Sequence, residues 1–199
     1  PLKQLFKVFK EEKIRKLSLA FFIYFIAFTG LTNILIFFLQ ESLNWTTKAS
    51  SGTLVVVGVI AIIVQGGLIG PLVKRFGEMK LTLIGSGFIL LACFLLITTP
   101  KENAAANIYS AVSFLAVGAG LITPTLRALI SKKLDGDNQG SILSNLQGLQ
   151  SLGGVLGIGM AGRVYDDFGP KAPFIAGSII LLFMIYLIAE GKNNNISYN

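Results

Sequence analysis

Asn33, Gln65, Gln147 and Gln150 are carboxamides set deep inside long apolar runs, and Thr29 stands four residues before Asn33. Thr29, Asn33 and Gln40 occupy i, i+4 and i+11, which puts them on one stripe of a helix. Ser144, Gln147 and Ser151 share a face of a later run, with Gln150 beside them. Amides donate and accept hydrogen bonds but do not titrate. Such a set can hold a solute; it cannot pass a proton. An amide turned to hydrocarbon is left unsatisfied, so these side chains must face protein or a watery cavity. Two readings stay open for the amides: the lining of a cavity for a bulky, mostly apolar solute, or hydrogen bonds between helices. The hydroxyls favour the second.

The elements that carry these residues are six apolar runs: Leu17–Gln40, Ser51–Val73, Leu81–Thr99, Ala104–Ile130, Ser141–Val164 and Ala172–Ala189. A helix needs roughly 20 such residues to cross the hydrocarbon core. The expected fold is therefore an all-α membrane protein with six transmembrane helices. Leu81–Thr99 and Ala172–Ala189 are the shortest and weakest of the six. Hydrophobic residues make up 53% of the chain and charged residues 14%, against about 25% charged in a soluble domain. The runs also lack polar faces at helical spacing, which argues against buried helices of a soluble protein.

The net charge of +7 would suggest nucleic acid on a soluble protein. Its distribution argues otherwise, and no nucleic-acid partner is expected. Lys3, Lys7, Lys10, Lys13, Arg15, Lys16, Lys74, Arg75, Lys80, Arg127, Lys132, Lys133 and Lys192 fall in or beside alternate segments. The opposite segments hold only Lys48, Lys101, Arg163 and Lys171. Short loops rich in Lys and Arg stay cytoplasmic, so both termini are placed inside, as an even number of spans requires. The location implied is a cell (inner) membrane, with the lipid bilayer as partner. Residues 1–13 form an amphipathic connector, with Leu2, Leu5, Phe6 and Phe9 on one face, suited to the membrane surface or to a plain linker. Residues 191–199 form a cytoplasmic tail. Trp45 suits the interface belt.

All ten acids, from Glu11 to Glu190, lie in tails, loops or helix ends, and histidine is absent. Proton relays inside membranes use buried Asp, Glu or His. This chain alone is not expected to couple transport to protons; carboxylates for that task would lie elsewhere. Cys93 is the single cysteine and cannot form an internal disulfide. No nucleotide, metal or nucleophile motif appears, so neither an enzyme, a cofactor nor a metal site is expected. The glycine-rich stretch 153–159 is followed by no Lys-Ser/Thr and lies within a span, which excludes a phosphate loop.

Gly66-x-x-x-Gly70 and Gly153-x-x-x-Gly157 have the spacing that lets helix backbones approach. Gly118 and Gly120 precede Pro124, which removes a backbone donor and favours a kink. Gly120 and Pro124 are the candidate hinge. Phe76-Gly77 and Phe168-Gly169 echo each other 92 residues apart, each ahead of a short span. That echo points to a 3+3 inverted repeat.

The second loop, Gly70-Pro71-Leu72-Val73-Lys74-Arg75-Phe76-Gly77-Glu78-Met79-Lys80, resembles the loop signature of the major facilitator superfamily. Gly70, Leu72, Arg75 and Gly77 match in place; Lys74 stands where an aspartate is usual. Residues 120–131 followed by Gln139-Gly140 look like helix ten and its exit loop in the drug-exporter, tetracycline-efflux-like branch. Gly162-Arg163-Val164-Tyr165-Asp166 looks like the end of helix eleven, although Arg163 departs from the pattern. The resemblance implies helices seven to twelve of a twelve-helix fold, with residues 1–13 joining the halves. It further implies that Thr29, Asn33, Gln65, Gln147 and Gln150 line a substrate cavity, and that Gly70, Arg75 and Gly77 serve the cytoplasmic signature loop.

The function implied is the C-terminal half of a secondary active transporter working by alternating access. A proton-coupled exporter (an antiporter) of drugs or small amphiphilic metabolites is the expectation, and multidrug resistance the implied phenotype. The partners are then a missing N-terminal six-helix half and a small-molecule substrate. A free-standing six-helix protein acting as a homodimer, or a non-transporting assembly subunit, is the alternative.

Overall fold

The computed structural model describes residues 6–100, 102, 104–134 and 139–193. Backbone groups find no water in hydrocarbon, so each apolar run closes its own hydrogen bonds. Six long helices result: α1 Arg15–Ser42 and α2 Thr47–Phe76, α3 Glu78–Thr98, α4 Ala105–Ser131, α5 Gln139–Phe168 and α6 Ala172–Asn193. Among the described residues there is no strand. The end of α1, Phe38–Ser42, and the middle of α2, Val64–Leu68, wind as π-helix. Thr46 caps α2 by accepting the Ala49 N–H at 3.3 Å.

The two runs read as weakest for their shortness are strongly apolar helices. Leu81–Thr99 and Ala172–Ala189 fall in α3 and α6, which are long and apolar enough to cross a membrane, as are α1, α2 and α4. The more polar helix is α5, at 30 residues. Its amides, serines and glycines dilute the apolar content while its length remains ample for a span.

Two glycines end the helices that precede α3 and α6. Gly77 has φ +78° and Gly169 has φ +90°, a region that side chains with a Cβ avoid. The Gly77 N–H donates to the Val73 carbonyl and the Gly169 N–H to the Tyr165 carbonyl, each at 2.9 Å. The echoed Phe-Gly pairs therefore make the same helix stop by the same means.

The packing follows the same symmetry. Helix α1 packs on α5 and α6, α4 packs on α2 and α3, and α3 packs on α6. Exchanging α1–α2–α3 with α4–α5–α6 leaves this pattern unchanged. Lipid tails supply no hydrophobic drive between helices, so close backbone contact must hold them. A Cβ on Gly30 of α1 would lie 2.8 Å from the Gly157 carbonyl oxygen of α5. A Cβ on Gly118 of α4 would lie 2.6 Å from the Gly85 carbonyl oxygen of α3. On Gly120 it would meet the Val64 side chain of α2 at 2.9 Å. Phe21, Tyr24, Phe38, Ile89, Ile108, Leu115 and Phe174 fill the centre.

Of the amphipathic segment, residues 1–5 lie outside the described residues. Phe6–Phe9 is a 3-10 turn that packs on α1 and α5. Val8 is buried, and Phe9 meets Phe22 edge-on at 6.4 Å.

Candidate functional site

A polar cluster lies where α1, α4 and α5 meet. Arg127 stands in the last turns of α4. Its Nη2 donates to Gln147 Oε1 at 2.8 Å and also to Gln150 Oε1. The guanidinium carbon lies 5.8 Å from the centre of the Phe21 ring on α1, a contact that attracts a cation to the ring face. The Arg127 Nε–H is buried and has no acceptor among the described residues. Gln147 and Gln150 both make an interhelical contact, and the donor is a charge.

The sequence reading grouped Arg127 with the loop lysines. Here it is half-buried inside a helix. The signal was its position, within the run Ala104–Ile130 and four residues before Ser131, which begins the polar exit.

Thr29 and Asn33 continue the seam along α1. Thr29 lies against Gly154 of α5, with a Cβ there 3.6 Å from its side chain. Asn33 Nδ2 donates to the Thr29 carbonyl at 2.9 Å, and the side chain is exposed. Tyr24 Oη and Thr123 Oγ1 are 3.3 Å apart, tying α1 to α4. Thr82 Oγ1 and Thr125 Oγ1, both buried, are 2.8 Å apart and tie α3 to α4. Of the hydroxyls on the stripes read from the sequence, Ser151 Oγ donates to the Gln147 carbonyl of its own helix at 3.2 Å.

Gln65 stands apart. It is exposed in the π segment of α2, and no hydrogen bond joins it to the other amides among the described residues. Gly70 is exposed with nothing within 4 Å of a Cβ placed on it. Arg75 lies over the Phe76 ring at 5.4 Å, while Gly77 serves the turn. Helix α4 runs through Pro124 to Ser131 without ending.

The end of the bundle where α1 begins and α4 stops carries two ion pairs. Lys16 Nζ and Glu190 Oε1 are 2.7 Å apart, joining α1 to α6. Lys132 Nζ and Glu78 Oε1 are 2.5 Å apart, joining the end of α4 to the start of α3. The Lys132 hydrogen bond holds the Glu78 carboxyl below the usual carboxylate range. At the other end, the Tyr165 hydroxyl donates to Glu41 Oε2 at 2.9 Å. Among the described residues no carboxylate pairs with Arg127.

A groove of about 250 Å³ opens between α2, α3 and α4, lined by Val64, Leu68, Phe76, Ile84, Phe88 and Leu121 among others. It is apolar throughout and excludes the amides.

The sequence profile of the Major Facilitator Superfamily matches residues 1–158. The Tetracycline resistance protein, class C, of Escherichia coli is 28% identical over 122 residues, covering 61% of this chain and 30% of that protein. The class H protein of Pasteurella multocida is 29% identical over 122 residues, with the same shares. Hippocampus abundant transcript-like protein 1 of Homo sapiens is 21% identical over 95% of this chain and 41% of that protein. The chain spans less than half the length of these relatives.

Proposed function

This chain belongs to the Major Facilitator Superfamily, and on that premise we propose that it is the C-terminal six-helix half of a secondary active transporter. The whole protein works by alternating access and exports drugs or small amphiphilic metabolites against proton entry. The basic end faces the cytoplasm of a bacterial-type inner membrane, with both termini inside. The carboxylates that carry protons lie in the other half.

One observation carries the reading. Gly30, Gly85, Gly118, Gly153 and Gly157 are pressed against neighbouring helices, whereas Gly58, Gly66, Gly67 and Gly70 on α2 and Gly159 and Gly162 on α5 meet nothing within 4 Å. Around them Val55, Val59, Ile62 and Ile63 on α2, and Val155 and Ile158 on α5, are exposed. Small-residue faces of this kind suit close helix approach. They are the faces on which the N-terminal half docks. Two relatives bear tetracycline resistance in their names, which supports export of amphiphilic drugs.

The test is accumulation of tetracycline in cells expressing the intact transporter. Reduced accumulation that returns to the control level on adding a protonophore is expected. Accumulation indifferent to expression rejects export, and a reduction that survives the protonophore rejects proton coupling. A native mass equal to twice this chain, with full transport and no other polypeptide, indicates a homodimer instead.

A further inference from the structure

We propose that Arg127, Gln147 and Gln150 bind a carboxylate group on the transported solute, so that the substrates include amphiphilic monoanions. This rests on the transporter reading above and narrows its substrate class.

The argument begins with what the guanidinium does to its neighbours. Arginine has five N–H donors and no acceptor. Each glutamine must therefore turn its oxygen toward Arg127, which fixes both amides without ambiguity. Oε1 of Gln147 and Oε1 of Gln150 each accept an N–H from Nη2. What each amide then has to offer is its Nε2 group, with two N–H donors. The cluster presents a fixed positive charge flanked by amide donors.

A site of donors around a fixed positive charge matches an acceptor-only group. An ionised carboxylate is such a group, and guanidinium binds it with geometric preference. A cationic solute meets repulsion there, and a neutral amide or alcohol gains no ion pair with the guanidinium. One charge at the site matches a monoanion.

Among the described residues the charge is also uncommitted. The ion pairs engage Glu78 with Lys132 and Glu190 with Lys16, and Glu41 takes the Tyr165 hydroxyl. A cation within a membrane helix is costly and marks a functional site by default. Here neutral amides and the Phe21 ring hold it without neutralising it. The cluster is reachable, because Gln147 and Ser151 are exposed on the same face of α5. Thr29, Gly154 and Asn33 continue from it over the outside of the tightly packed α1–α5 seam.

The test uses the intact transporter in nanodiscs and two probes that differ in one group: dansyl-undecanoic acid and its primary amide. Binding is read by dansyl fluorescence. The wild type is expected to bind the acid at least tenfold more tightly than the amide. Arg127→Gln is expected to bring that ratio to near one, and Arg127→Lys to keep part of it. Gln150→Glu is a second variant, placing an internal carboxylate beside Arg127, and is expected to abolish the preference for the acid. Equal binding of both probes by the wild type, absence of acid binding, or a preference that survives Arg127→Gln and Gln150→Glu overturns the proposal. So does recovery of the Arg127→Gln defect on neutralising one carboxylate of the other half, which assigns Arg127 to a bridge between halves. Vesicle transport of the acid separates the two claims: binding as expected without transport sinks the transporter reading and leaves the site standing.

Discussion

Gly157 of α5 lies so close to Ile26 of α1 that a Cβ on the glycine would stand 2.2 Å from the Ile26 carbonyl oxygen. The obstacle is backbone, which cannot rotate aside as a side chain can. Gly157→Ala therefore must push α1 and α5 apart. Overpacking of this kind costs about 1–3 kcal/mol. The expected result is a lower Tm in detergent and reduced membrane expression. A Tm equal to wild type would show that the seam relaxes without cost.

Gly66 gives the contrast. Nothing lies within 4 Å of a Cβ placed there, so Gly66→Ala is expected to leave the stability of the six helices within about 0.5 kcal/mol of wild type. It should nevertheless weaken assembly of the intact transporter, read as reduced co-purification of the two halves expressed as separate chains. Unaltered co-purification removes α2 from the interface between halves.

Gln65 is exposed on α2 without a hydrogen-bond partner among the described residues. As a solute ligand it would contribute about 1 kcal/mol, and Gln65→Leu is expected to lower export by the intact protein about fivefold. Expression should stay near normal. Lost expression with unchanged transport per molecule instead marks a packing role.

Glu78, three residues ahead of the apolar run that starts at Leu81, carries a pH dependence. Its carboxyl is held below the usual range, first of all by the Lys132 hydrogen bond. A depressed carboxylate adds stability above the ordinary Glu value of about 4.3, and that gain is lost as pH falls through the lower folded value. Lys132 is 65% exposed, so the pair contributes at most about 1 kcal/mol. The Tm difference between wild type and Glu78→Gln should be present at pH 7 and close on acidification below about pH 4. A constant difference down to pH 3 excludes the pair as its source.

The helices were legible because hydropathy is a local property. A run such as Leu81–Thr99 must close its backbone hydrogen bonds in hydrocarbon whatever surrounds it. The Phe-Gly echo was legible as a repeat, and the structure shows both its glycines at positive φ ending a helix. Length alone did not single out α5, whose amides, serines and glycines make it more polar than the two short runs.

The candidate site was legible only as residue types. Gln147, Gln150, Thr29 and Asn33 announce polar groups that need partners, and nothing local names those partners. That Arg127 reaches Gln147 and Gln150 depends on the depth and rotation of α4 against α5. Those are set far from the arginine, by the Gly30–Gly157 approach of α1 and α5 and the Gly85–Gly118 approach of α3 and α4. By itself the chain determined six long helices, five of them long and apolar enough to cross a membrane, and their basic end, all consequences of short-range solvation. Only the tertiary structure decided that a lone guanidinium stands between two amides with no carboxylate beside it among the described residues, because side-chain partners are chosen by how rigid helices pack.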